Sequence, residues 1–115
     1  MTHYILKDRE VVKVDDLMEW AGWFETADRH VAKDNVGVPI WKYWVGKLLR
    51  LKRWEPVFIS TVFLGLDHSF QEGPPLLFET MVFGGELDQE MDRYSTWQEA
   101  EAGHEAMSRR VSESV

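Results

Sequence analysis

Hydrophobic and polar positions alternate in short blocks along this chain, and the first blocks predict a hairpin and a helix. Residues 4–6 and 11–14 are β-prone runs separated by a polar stretch of hairpin-loop length, which predicts an N-terminal β-hairpin. Asp16 and Glu19 form a capping box ahead of apolar residues at helical spacing, which predicts a helix over residues 16–27. We expect Trp20 and Phe24 to face the core.

The middle of the chain carries the strongest strand signals. Residues 57–66 and 76–83 are apolar on both alternating faces, which is typical of central strands covered on at least one side. Residues 29–36 can form a further strand. Gly73, Pro74 and Pro75 interrupt any ladder between the two apolar runs, so a hairpin with a long loop is expected to join them. An acidic loop is expected to follow as far as Tyr94.

A second capping box, Thr96 and Glu99, predicts the start of a C-terminal helix. An apolar stripe runs along this helix at the spacing that packs on a sheet: Trp97, Ala100, His104, Met107 and Val111. Residues 112–115 are expected to fray. The order of elements predicts one α+β domain over residues 1–115, with a mainly antiparallel sheet of about four to five strands packed by two helices.

Residues 38–56 have the least regular pattern in the chain. Trp41, Trp44, Val45 and Leu48 fit one face of a helix that begins near Pro39. Residues 49–52 alternate like a strand instead, and we favour the helix.

Composition narrows the class of protein. The chain has 115 residues, of which 44% are hydrophobic, and this predicts a globular protein with a single core. It has no cysteine, which excludes disulfides and thiolate chemistry and fits a reducing compartment, so we expect a cytoplasmic protein. No stretch is apolar enough for a signal peptide or a membrane span.

The net charge of −7 is unevenly distributed. Residues 38–54 contain five bases and no acid, whereas residues 79–106 contain eight acids and one base, Arg93. Tryptophans mixed with bases, as in residues 41–54, are typical of lipid interfaces and of single-stranded nucleic-acid binding. The acidic total argues against nucleic acid, and the alternative is that these tryptophans belong to the core.

Four residues are candidates for chemistry. Asp67 and His68 end the first apolar run, where Asp67 is expected to act as a turn acceptor and adjacent side chains point to opposite faces. Glu79 interrupts the second run and needs a partner, for which Arg93 and His104 are available. His104 lies on an apolar stripe, where a hydrogen-bonded core histidine is the commoner case. His68, Glu79 and His104 have the residue types of a two-histidine, one-carboxylate site, but no spacing forces them together. No motif implies a bound metal or other cofactor.

The block STVFLGLDHSFQEGPPLLFETMVFGG, followed by RYSTWQEAEAGHEAM, resembles a family of small uncharacterised proteins encoded by bacteriophages, prophages and some bacteria. The start, YILKDREVVKVDDLMEWAGWF, is similar to the opening hairpin and helix of that family, whereas residues 38–56 do not match and are interpreted as a family-variable insertion. The resemblance implies a small accessory protein of a phage or mobile element that acts by binding a host protein or a small ligand.

The favoured hypothesis is therefore a binding protein rather than an enzyme. Its expected contact residues lie on loops and in the tryptophan-rich segment: Asp67, His68, Arg93, Tyr94, Trp41, Trp44 and Trp54. One alternative is a small metal-dependent or hydrolytic enzyme that uses His68, Glu79 and His104. The other is a nucleic-acid or membrane surface formed by residues 41–54, in which Arg50, Lys52 and Arg53 supply charge. A homo-oligomer is compatible with all three. The binding hypothesis predicts a surface apolar patch, or a pocket at a protein interface, that contains one or more of the three tryptophans, and wholly buried tryptophans would weaken it.

Overall fold

A computed structural model describes residues 2–51, 54–67 and 72–114 of the chain. Its elements in chain order are β1 (His3–Lys7), β2 (Glu10–Val14), α1 (Leu17–Thr26), β3 (His30–Val36), α2 (Ile40–Leu49), β4 (Val57–Phe63), β5 (Phe78–Phe83), β6 (Met91–Tyr94) and α3 (Trp97–Ser114). Strands β1 and β2 form an antiparallel hairpin, and β3 to β6 form an antiparallel sheet in chain order. The α+β class and the antiparallel sheet are as predicted.

The four-stranded sheet has a covered inner face and an open outer face. Alternate residues of β4 are fully or nearly fully buried, and the residues between them are only partly buried. Helix α3 packs across all four strands on the inner side, where its stripe of Ala100, His104, Met107 and Val111 is buried, as the spacing predicts. Met107 and Val111 join Val57, Ile59 and Val82 in one core cluster.

The N-terminal hairpin and α1 pack on the other end of the core. Trp23 of α1 meets Phe63 edge to face, with ring centroids 5.7 Å apart. The indole Nε1 of Trp20 donates to the carbonyl oxygens of Tyr4 and Gly65, at 3.0 and 3.2 Å, and so ties α1 to both segments. The expectation that Trp20 and Phe24 face the core was therefore only partly right, because Trp23 reaches the core cluster and the other two stack beside it.

Several boundaries correct the sequence prediction. Residues 91–94 form strand β6 and not the end of an acidic loop, because they pair with β5. The two apolar runs are strands only over Val57–Phe63 and Phe78–Phe83. Residues 38–56, which have the least regular pattern, contain helix α2. The helical spacing of Trp41 and Trp44 had favoured a helix here. Helix α3 extends through Ser114, and its fraying in solution stays a prediction.

Candidate functional site

Helix α2 projects from one end of the four-stranded sheet. It is inserted between β3 and β4, whose last and first residues, Val36 and Val57, are direct antiparallel partners. Pro39 precedes the first turn, and its carbonyl oxygen accepts from the Tyr43 amide at 3.0 Å. At the other end, Arg50 adopts a left-handed conformation (φ 57°), which lets the Leu51 amide donate to the Gly46 carbonyl at 2.7 Å.

The segment that follows α2 holds it in place. Gly46 is the only buried residue of the helix, since the Trp54 side chain lies against it so closely that a Cβ at this position would overlap Trp54. The rings of Trp41 and Trp54 meet edge to face at 6.2 Å. Beyond these local contacts, α2 makes little contact with any other described helix or strand.

As a result, α2 exposes a broad apolar face. Trp41 and Trp44 are each 59% exposed, and Ile40, Leu48 and Leu49 are exposed as well. These five residues are called the α2 surface below. Isolated exposed apolar residues are common on proteins, but a contiguous set on one helix marks an interaction site. Trp41 and Trp44 therefore lie in a surface apolar patch of the kind that the binding hypothesis predicts.

Basic side chains surround the α2 surface. The ammonium of Lys42 lies 5.7 Å from the Trp41 ring centroid, and that of Lys47 lies 5.7 Å from the Trp44 ring centroid. Helix α2 has no acidic residue. Lys52 and Arg53, which were also expected to supply charge here, lie outside the described residues.

The outer face of the sheet carries a second exposed apolar area. Phe58 and Phe83 are cross-strand partners whose rings stack with centroids 5.9 Å apart, and Met81 pairs with Met91 in the next strand. Phe83 is 46% and Met91 40% exposed. These four residues are called the sheet patch below. Because α3 packs on the inner face and α1 contacts the hairpin, no described helix covers the patch.

Two of the residues that were predicted as contacts, Asp67 and Arg93, make internal polar contacts. The Asp67 carboxylate accepts from the Leu76 amide at 3.1 Å and so closes the loop, as its position predicted. His68 lies outside the described residues. Arg93 donates to Glu79 at 3.1 Å, which gives the interrupting carboxylate of β5 its ion pair. This pair is only partly buried, so Arg93 and Glu79 satisfy each other on the outer face.

Tyr94, another of the predicted contact residues, packs its ring against helix α3 and is only partly buried. Its ring covers Gly103 of α3, where a Cβ would overlap it. Its hydroxyl is buried and has no hydrogen-bond partner among the described residues. Burial raises the pKa of the Tyr94 phenol above its usual value of 10.0, so the group is neutral at physiological pH.

His104 sits at the centre of a buried polar network that the sequence did not reveal. Its Nδ1 lies 2.7 Å from Thr61 Oγ1, and its Nε2 lies 2.8 Å from a carboxylate oxygen of Asp34. Thr61 also hydrogen bonds to Thr80. An Asp–His–hydroxyl chain has the residue types of a nucleophilic site. However, both threonine side chains are fully buried, so no substrate can reach them.

Two members of the three-residue site of the enzyme hypothesis, Glu79 and His104, lie on opposite faces of the sheet, and His68 lies outside the described residues. Glu79 lies on the outer face of the sheet and His104 packs on the inner face, because adjacent strand residues point to opposite sides. Within residues 2–51, 54–67 and 72–114, no three His, Asp or Glu side chains are placed to hold a metal ion.

A surface cleft of about 280 Å³ lies between the β1–β2 turn and the start of α3, and is lined by Arg9, Glu10, Val11, Ser95, Thr96, Trp97 and Gln98. None of the predicted contact residues lines it. Two of its lining residues contact each other, with the Arg9 guanidinium 5.2 Å from the Trp97 ring centroid.

No helix in the described part of the chain combines the length and apolarity that a membrane span requires. Comparisons with family models, with curated proteins and with solved structures find no match to this chain. Of the surfaces described above, α2 has the exposure, composition and charge that best fit a binding site.

Proposed function

We propose that this protein works by binding another protein through the α2 surface. The observation that carries the proposal is the exposure of Trp41 and Trp44 on a helix that makes little contact with the rest of the fold. Tryptophan is enriched at the energetic centres of protein interfaces, since a buried indole removes a large apolar area from water. A helix that contributes little to its own core is free to contribute that area to a partner.

The biological setting that we propose is an accessory role in a phage or other mobile element, in which the bound protein belongs to the host. It is supported by the resemblance of the chain to small phage and prophage proteins and by the position of α2 within the segment interpreted as an insertion. The lack of cysteine fits action in the cytoplasm. An inserted helix can add a new contact to a fold without changing its core.

Site-specific photo-crosslinking in bacterial cells tests the use of α2. A photoreactive phenylalanine analogue replaces Trp44 in one variant and Met18 in another. Met18 is the matched control, because it is 78% exposed and apolar but lies on α1. We expect a discrete protein adduct from position 44 and none from position 18.

Equal labelling from both positions, or none from position 44, would contradict the proposal. An adduct to nucleic acid from position 44 would support the competing nucleic-acid hypothesis. That hypothesis predicts, in addition, binding that weakens steeply with salt and is lost when Arg50, Lys52 and Arg53 are neutralised.

A further inference from the structure

We infer that one partner of the α2 surface is a second copy of this chain, with α2 of each copy lying across the sheet patch of the other. This inference rests on the proposed function, because it requires α2 to be a protein-binding element. The two surfaces that this partner would cover are both present on the chain itself.

The first argument is that one chain presents two uncovered apolar surfaces. The α2 surface supplies aromatic and aliphatic side chains on a helix, and the sheet patch supplies the flat apolar area of Phe58, Met81, Phe83 and Met91. A two-fold axis that places each α2 on the opposite sheet covers both surfaces on both copies at once. Contact between like surfaces would cover only one of them.

The second argument is electrostatic complementarity. Helix α2 carries Lys42 and Lys47 and no acid. The loop that joins β5 to β6 begins directly after Phe83 and ends directly before Met91, and its acids are Glu86, Asp88 and Glu90. The patch is thus bordered by negative charge where α2 is bordered by positive charge, which favours this pairing over contact between two α2 helices.

Other charges on and beside the outer face leave this contrast intact. Arg93 is paired with Glu79, and Arg110 takes up part of the loop's charge through an ion pair with Glu90 at 3.2 Å. Lys33 is the base that belongs to the neighbouring strand β3, where it lies opposite Ser60 and away from the acidic loop.

The third argument concerns size. The ten residues of α2 span about 15 Å at 1.5 Å per residue. Four strands spaced about 4.8 Å apart span about 14 Å, so the helix reaches across the sheet. A stable interface buries about 800 Å² per partner, and each tryptophan supplies roughly 150–250 Å². Two tryptophans with the sheet patch provide a large share of that area.

Crosslinking between single cysteines tests the arrangement, since the chain has no native cysteine. Leu48→Cys and Met91→Cys proteins, which both keep Trp44, are prepared separately, mixed and treated with a short bismaleimide, and the linked peptides are identified by mass spectrometry. Met18→Cys mixed with Met91→Cys is the control. All three positions are exposed, so the substitutions leave the core intact.

We expect a 48–91 crosslink and no 18–91 crosslink. Sedimentation equilibrium of the unmodified chain should show a dimer, and Trp44→Glu should weaken it at least about 30-fold, as for loss of a central tryptophan. Circular dichroism should show that this variant remains folded, since Trp44 is exposed.

A monomer throughout about 1–100 μM, or a dimer that crosslinks 48 only to 48, would overturn the inference. Binding of the monomer to anionic vesicles through Trp44 would overturn it in favour of a lipid surface. A monomer whose position 44 still crosslinks to a different protein would overturn the inference alone and leave the proposed function standing. A chain whose position 44 contacts nothing would overturn both.

Discussion

At the scale of single residues, His104 joins three elements of the sheet and helix. It links α3 to Thr61 of β4 and to Asp34 of β3, and Ser108 of α3 donates to the same Asp34 carboxylate at 2.9 Å. Buried polar groups require partners, and this network provides them where α3 crosses the sheet. His104 therefore ties α3 to two strands of the sheet.

The Asp34 carboxylate gives this network a pH dependence. The Ser108 hydroxyl, and after it His104, lower the Asp34 pKa below its ordinary value of 3.8. Because the pKa of Asp34 is lower in the folded state than in the unfolded state, ionised Asp34 stabilises the fold. This stabilisation is complete at pH values above the unfolded-state pKa. The stabilisation is lost as the pH falls through the folded value.

We therefore expect Asp34→Asn to be less stable than the unmodified chain near neutral pH, and the difference to shrink below about pH 4. Urea unfolding from pH 7 to pH 3 measures this. Asp16→Asn is the control, because an asparagine at the start of α1 still caps the helix. A difference between Asp34→Asn and the unmodified chain that is constant with pH would show that the Asp34 charge has no part in stability.

At the scale of elements, two glycines in helices are under opposite constraints. Gly103 of α3 lies beneath the Tyr94 ring, with no room for a Cβ, whereas Gly22 of α1 has no atom near the place that a Cβ would occupy. Helix propensity alone favours alanine over glycine by about 1 kcal/mol at both positions. The difference between the stability changes caused by alanine at Gly103 and at Gly22 therefore measures the packing of β6 on α3.

We expect Gly103→Ala to lower the free energy of unfolding by about 1–3 kcal/mol, the usual range for overpacking a core. Gly22→Ala should raise it by about 0.5–1 kcal/mol. Chemical denaturation of both variants tests this. Equal stabilisation by both substitutions would mean that Tyr94 does not pack on α3 as the structure has it.

The elements also show why some features could be predicted from the sequence. The caps of α1 and α3 were predicted closely because they depend on residues two or three positions apart: the Asp16 carboxylate accepts from Met18, and Thr96 accepts from Glu99. Strand β6 was missed because its four residues show no strong alternation, and the ladder with β5 makes them a strand. No local pattern indicates such a pairing.

The features of the candidate site could likewise be predicted only in part from the sequence. The spacing of Trp41 and Trp44 in the sequence predicted that they share one face of a helix. Their exposure could not be predicted in this way, because it depends on how little the other described helices and strands contact α2. Likewise, the stripe of α3 identified His104 as buried. Its partner Asp34 is 70 residues away in sequence, and no sequence pattern joins them.

At the scale of the whole molecule, α2 is an appendage to a fold that is complete without it. The molecule measures 53 × 29 × 22 Å, which is long for its size and agrees with a projecting arm. Both core clusters consist of residues outside α2. The stability of the fold and the use of α2 should therefore be separable by mutation.

Replacement of residues 38–54 by an Asn-Gly pair should leave a folded protein, because Val36 and Val57 are already neighbours and hairpin loops of about five residues are common. We expect the free energy of unfolding to change by less than about 1 kcal/mol, while self-association is lost. Heat and urea unfolding measure the first, and sedimentation measures the second. A loss of several kcal/mol would show that α2 belongs to the core.

The chain order of the four-stranded sheet also has a kinetic consequence. Each strand pairs with the strand next to it in sequence, so no pairing has to wait for a distant segment, and contacts between sequence neighbours favour rapid folding. The inner face of the sheet, in contrast, is covered by residues that come later in the sequence than all four strands, such as Met107 and Val111 of α3. During synthesis, the sheet can therefore assemble strand by strand, but its apolar inner face stays open to water, and to chaperones, until α3 has left the ribosome.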